Sequence, residues 1–227
     1  NKVWNYDTRD IDRHMLRFME NHDELRIASP QFAGGPWLAV PGMLITATLS
    51  TGPVMVYSGQ ESGEAALGAE GFSSDDGRSS IFDYWGMPQH QQWANGGKYD
   101  GGGLSAAQHA LRNFYQKLLT AVRRYEALRT GAFYELMMEN HHNSGFNDRV
   151  YIYLRYADKQ RIMVIANFNR QACDLHITLP PELLEKFNLS GAVTFSDILS
   201  GEKFATDNIA TGLNISLPPG SGALLSI

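Results

Sequence analysis

"RVYIYLRYADKQRIMVIANF", Arg149 to Phe168, alternates in its first arm, turns at Asp158-Lys159 and returns through a second, more continuously apolar arm. Val150, Ile152, Leu154 and Tyr156 share one face of the first arm, and "RIMVIANF" returns as the second. Such alternation places every second side chain on one side of a pleated strand, so the stretch predicts a β-hairpin. Downstream, "CDLHITL" repeats the pattern with Leu175, Ile177 and Leu179 on one side. "AVTFSDIL", "NISLP" and "ALLSI" add short strands at regular spacing, the pattern of an antiparallel β-sandwich.

Upstream the grammar differs. Leu111, Phe114, Tyr115, Leu118, Leu119, Val122 and Tyr125 recur at helical spacing behind Ser105 and Gln108, a capping-box pair. Before them lies a stretch from Ser58 to about Leu104, rich in Gly, Ser and Asp, which reads as one long functional loop. Leu38, Leu44, Ile45, Thr48 and Leu49 form a second helical stripe, opened or bent by Pro41 and stopped by Gly52-Pro53. Two short apolar runs, Met15 to Glu20 and Val54 to Tyr57, flank that helix and read as buried parallel strands. The expected organisation is thus an α/β part over residues 1–130 and an all-β part over residues 131–227.

Composition narrows the function. The 227 residues carry a formal net charge of −5 with no long basic run, which argues against nucleic acid and anionic membrane as partners. No apolar run reaches the ~18 residues of a membrane span. Cys173 is the single cysteine, so no internal disulfide forms, and the compartment stays open.

The residues with most chemical content follow the first short strand: Asn21, His22 and Asp23. A carboxylate accepts hydrogen bonds from two sugar hydroxyls at once, and a neutral imidazole donates one and accepts one. An Asn and an Asp that simply cap the next element are the plainer alternative. "FMENHDE" (18–24) followed by "TGPVMVYSGQESG" (51–63) resembles the α-amylase family of glycoside hydrolases and transglycosylases. In that family a motif like Phe18-Met19-Glu20-Asn21-His22-Asp23 closes strand seven of a (β/α)8 TIM barrel, and one like Gly52 to Glu61 marks strand eight. The helix with "FYQKLLTAVRRYEALRTG" and the strands from about Gly131 resemble the last barrel helix and the C-terminal β-domain.

The resemblance implies a partial barrel followed by an antiparallel sandwich, with an α-glucan oligosaccharide as ligand. Asp23 would be the third carboxylate of a retaining site and His22 a ligand of the same sugar. Glu61, Tyr84 and Trp85 would contact substrate; Trp93 and Tyr99 are further candidate sugar platforms. For Glu61 a pairing with a neighbouring Arg, and for the aromatics core packing, are the structural alternatives. Glu20 and Glu24 read as structural, and Arg26 as the partner of a nearby carboxylate. Nucleophile and general acid lie upstream of the His-Asp motif in the family. The 20 residues before Asn21 hold Asp7, Asp10 and Asp12 but no such motif.

A full barrel takes ~250 residues, so the chain alone is expected to be silent. It is also expected to self-associate, or to take a partner, through an uncovered sheet edge. No cofactor is implied, and no complete metal site is visible; some relatives bind calcium, largely through a domain without a counterpart here. His141-His142 reads as a hairpin tip and Cys173 as a small apolar filler. A non-catalytic carbohydrate-binding or interaction module, or a glucosyl transferase such as a trehalose synthase, is the alternative to hydrolysis.

Overall fold

The computed structural model describes residues 10–67, 76–79 and 87–227. The chain divides into two compact units: Asn1–Ala47 with Gly52–Leu119, and Thr48–Thr51 with Thr120–Ile227. Helices are α1 (Val40–Thr48), α2 (Pro88–Ala94), α3 (Ala106–Arg124), α4 (Glu126–Arg129), α5 (Met137–Asn140) and α6 (Pro181–Lys186). Strands are β1 (Ala132–Glu135), β2 (Val150–Ala157), β3 (Gln160–Asn167), β4 (Cys173–Ile177), β5 (Val193–Asp197), β6 (Lys203–Thr206), β7 (Leu213–Leu217) and β8 (Ser221–Ser226).

In the second unit, β1-β2-β3-β8-β5-β6 form an antiparallel sheet and β4-β7 a two-stranded one. The alternation read from Arg149 to Phe168 gives the β2–β3 hairpin, in register from Val150↔Asn167 to Ala157↔Gln160. The turn residue Asp158 has φ 39°, a left-handed conformation that short polar side chains tolerate. Val150, Ile152 and Leu154 meet Leu175, Ile177, Leu213 and Ile215 in one apolar core shared by the two sheets. This is the sandwich expected from the sequence. Cys173 packs partly buried against that core, as a small apolar side chain does.

The opposite face of β2 is also covered. Tyr153 is fully buried and shares a 2.6 Å hydrogen bond with the Thr48 hydroxyl. Arg155, 1% exposed, donates to the carbonyls of Thr48 (3.2 Å), Leu49 (2.6 Å) and Gly131 (2.7 Å).

In the first unit Pro41 sits at the second position of α1, where a missing N–H costs nothing, so it opens the helix. Ser105 and Gln108 form the reciprocal cap of α3: the Ser105 N–H donates to Gln108 Oε1 (2.9 Å) and the Gln108 N–H to Ser105 Oγ (3.3 Å). Leu111, Tyr115, Leu118 and Ala121 are the buried stripe of α3, while Leu119 lies off it.

Three expectations are corrected. Met15 to Glu20 and Val54 to Tyr57 are not continuous strands; they meet at a single parallel bridge, Arg17↔Val54. The Arg17 N–H donates to the Pro53 carbonyl and the Met55 N–H to the Arg17 carbonyl, both at 2.9 Å. Nor is the first run buried throughout: Met15, Leu16 and Phe18 are 40–49% exposed.

The stretch from Ser58 to Leu104 is not wholly loop, because it contains α2, which Pro88 opens. His141-His142 follows α5 in a helical turn instead of sitting at a hairpin tip. Gly52 explains itself: a Cβ there would lie 2.7 Å from the carbonyl oxygens of both Asp12 and Met15, so only glycine lets the segments approach next to the bridge.

Candidate functional site

The parallel bridge fixes where the first run ends, and the chain leaves it through Glu20 into an exposed loop. The Asn21 side chain builds that loop, its Oδ1 accepting from the N–H groups of Asp23 (2.8 Å) and Glu24 (2.9 Å). This Asx turn projects the next two side chains outward. His22 Nε2 lies 3.4 Å from Asp23 Oδ2, with the two side chains 46% and 75% exposed. An imidazole and a carboxylate side by side offer hydrogen-bond donors and acceptors to a polyhydroxyl ligand.

Beneath the loop lies an ion pair withdrawn from solvent. Arg26 NH1 donates to Glu20 Oε1 at 2.8 Å, with both side chains at most 1% exposed. Arg26 also donates from Nε to Ser79 Oγ (2.6 Å) and lies 4.3 Å over the Tyr57 ring. Glu20 Oε2 accepts from the Ile27 N–H at 2.7 Å. The charged groups therefore close the base of the loop from both ends, in agreement with the structural reading of Glu20 and the pairing read for Arg26.

Burial pushes the Glu20 carboxyl above its ordinary value, opposed by Arg26 and by the Ile27 N–H. Burial also raises the Tyr57 phenol, which feels the charges of Arg26, Glu20 and Asp23.

The other candidates are placed as follows. Glu61 accepts from Arg112 NH1 at 2.7 Å, half-buried, and Arg112 in turn lies 4.9 Å over the Trp93 ring. Tyr99 contacts Trp93 (ring centroids 5.8 Å apart) and is 65% exposed. Tyr84 and Trp85 lie outside the described residues.

Sequence reasoning did not single out Glu64. It is buried, and its Oε2 accepts from the N–H groups of Gln89 (3.0 Å) and His90 (3.3 Å) at the start of α2. A carboxylate there satisfies free donors at the helix N-terminus and anchors the aromatic stretch that follows. Its only sequence signal is an isolated acid among small residues. Among the described residues no group of three His, Cys, Asp or Glu side chains is arranged to hold a metal ion, and no helix is long and apolar enough to cross a membrane.

Residues 146–218 match the sequence model of the family described as the Cyclo-malto-dextrinase C-terminal domain. Whole-chain comparison finds similar folds in solved α-amylase structures. An α-amylase from Geobacillus thermoleovorans, complexed with acarbose, is 16% identical over 99% of this chain and 42% of its own, with a TM-score of 0.62. AmyP in complex with maltose is 20% identical over 93% and 40%, with a TM-score of 0.59. A maltogenic α-amylase, AmyB from Thermotoga neapolitana, is 15% identical over 94% and 41%, with a TM-score of 0.56. The chain thus spans about two fifths of the length of the structures it matches. The domain match lies within the second unit, and the fold likeness runs along nearly the whole chain.

Proposed function

We propose that this chain is the C-terminal part of an α-amylase-like retaining glycoside hydrolase acting on α-linked glucans. Residues 1–130 would supply the end of a (β/α)8 barrel and residues 131–227 the sandwich. One observation carries the reading: a parallel bridge sits immediately before an Asx-built loop that exposes His22 and Asp23 together. In β/α folds, sites gather where loops leave parallel strands.

Asp23 would accept hydroxyls of the sugar undergoing cleavage, with His22 on the same ring and Glu61, Tyr84 and Trp85 in further contact with substrate. Hydrogen bonds that shorten as the ring flattens toward an oxocarbenium-like state lower the barrier in addition to binding. Nucleophile and general acid would come from a segment preceding these residues. The acarbose, maltose and maltotriose complexes of similar folds support an α-glucan ligand.

The test uses a protein in which this chain follows such a segment. Asp23→Asn should lower turnover on maltodextrin by about 10²–10³-fold, with an unchanged melting profile because the side chain is 75% exposed. Wild-type turnover in the variant would reject the role given to Asp23. The 227-residue chain alone should release no reducing sugar from maltodextrin.

Self-association belongs to the same reading, supported by the exposed Ile11, Leu16 and Phe18 beside a backbone bonded along one edge. Sedimentation of the chain alone should show mass rising with concentration, and Leu16→Lys should suppress the rise. A single monomeric species at all concentrations would refute it.

A further inference from the structure

The sandwich carries a concavity far along the chain from Asp23. It encloses about 440 Å3, within the ~300–1,000 Å3 typical of small-molecule sites. Met137, His141, Asp148, Arg149, Tyr151 and Phe168 line it. The β2–β3 register builds its floor. Val150 faces Asn167, so the next residues out are Arg149 and Phe168, tied by a 2.7 Å hydrogen bond from the Phe168 N–H to the Arg149 carbonyl. By alternation both lie with Tyr151 on the sheet face away from the apolar core.

Phe168 stands outside the buried core: the residue is 39% exposed at the end of a strand whose preceding six residues are buried. An aromatic face left in solvent beside a cavity is a platform for a ligand with flat apolar surfaces.

The polar groups around this ring are unspent. Among the described residues, neither Asp148 nor Arg149 makes a side-chain hydrogen bond or ion pair. The Asx turn at Asn147, whose Oδ1 accepts from the Arg149 N–H at 2.9 Å, holds this stretch in place. His141 Nδ1 donates to the carbonyls of Met137 (3.1 Å) and Met138 (3.0 Å), which fixes the ring beside the concavity. Carboxylate and guanidinium cancel in charge, so a charged ligand gains nothing overall. A neutral polyhydroxyl ligand gains at both, because each hydroxyl donates to one group and accepts from the other.

We propose that this concavity is a second glucan-binding site, separate from the loop at Asp23, in which a sugar ring of an α-linked chain stacks on Phe168 while its hydroxyls bond Asp148 and Arg149. The choice of an α-glucan over other neutral sugars rests on the function proposed above. Such a site would hold a long polysaccharide near the protein and raise its local concentration at any first site.

Amide chemical shifts of the 227-residue chain, followed on titration with maltoheptaose to about 10 mM, test it. Saturable shifts at His141, Arg149, Tyr151 and Phe168 are expected, with cellohexaose producing much smaller ones. Phe168→Ala should weaken the binding at least about tenfold. Arg149→Ala, at an exposed position that leaves the core intact, should also weaken it, and Asp23→Asn should leave it unchanged. Absence of shifts at these four residues, an equal response to cellohexaose, or affinity unaltered in both Phe168→Ala and Arg149→Ala would overturn the proposal. Shifts confined to Asn21–Glu24 would overturn it while supporting the role of Asp23. Shifts confined to the four sandwich residues would support it, and the role of Asp23 is decided separately by the turnover of Asp23→Asn.

Discussion

Arg155→Met should lower the unfolding free energy by about 3 kcal/mol, because it leaves buried and part-buried carbonyl groups without their donor. Arg155 is 1% exposed and spreads its guanidinium over three main-chain oxygens, those of Thr48, Leu49 and Gly131. Each buried acceptor left without a donor costs roughly 1–3 kcal/mol, while the methionine regains part of this through apolar packing.

Arg155→Lys should recover only a fraction. An ammonium on a flexible stem lacks the planar fork that reaches several oxygens at once. Thermal unfolding followed by near-ultraviolet circular dichroism reads the effect as a fall in midpoint of roughly 6–12 °C for a chain of this size. A midpoint within a degree of wild type would show that these hydrogen bonds contribute nothing net. The same substitution should not alter maltoheptaose shifts at Phe168, since Arg155 lies outside that concavity.

The second large effect is at the base of the His22–Asp23 loop. Arg26→Met leaves Glu20 buried without its counter-ion, a change that costs about 3–5 kcal/mol at neutral pH. Burial already raises the Glu20 carboxyl above its ordinary value of 4.5, with Arg26 as the strongest opposing influence. Removing the guanidinium therefore drives that pKa further up.

The sign of the pH dependence follows. A folded-state value above the unfolded one means that the folded state keeps a proton the unfolded state has released. Stability then falls as pH rises from about 4.5 through the raised folded value. The deficit of Arg26→Met should be small near pH 4 and full near pH 8. The double variant Arg26→Met/Glu20→Gln should lose this pH dependence and regain part of the stability, because a neutral amide is cheaper to bury than a lone carboxylate. Urea unfolding across that pH range measures both. A deficit constant with pH would mean that Glu20 is not the group responsible.

These two clusters mark the limit of what one sequence discloses. The alternation from Arg149 to Phe168 fixed β2, β3 and their turn, since strand patterning is written in residues two apart. The capping box at Ser105 and the stripe ending near Tyr125 located α3 for the same reason. The motif from Phe18 to Asp23 placed a His-Asp loop after a parallel contact, with Glu20 read as structural and Arg26 as the partner of a nearby carboxylate, which their pairing at 2.8 Å bears out.

What stayed hidden depends on partners remote in sequence. Arg155 looks like any charged residue in a strand until Thr48, 107 residues away, supplies its carbonyl. Glu64 becomes the anchor of α2 only across the 25 residues to Gln89. Met15 to Glu20 carries the composition of a buried strand, yet a ladder needs neighbours as well as composition, and the fold gives that run one bridge. Local order is set by interactions that repeat every two or four residues. Whether a charge is paired, a ring is exposed or a strand is completed is decided by contacts the chain makes only after it has closed on itself.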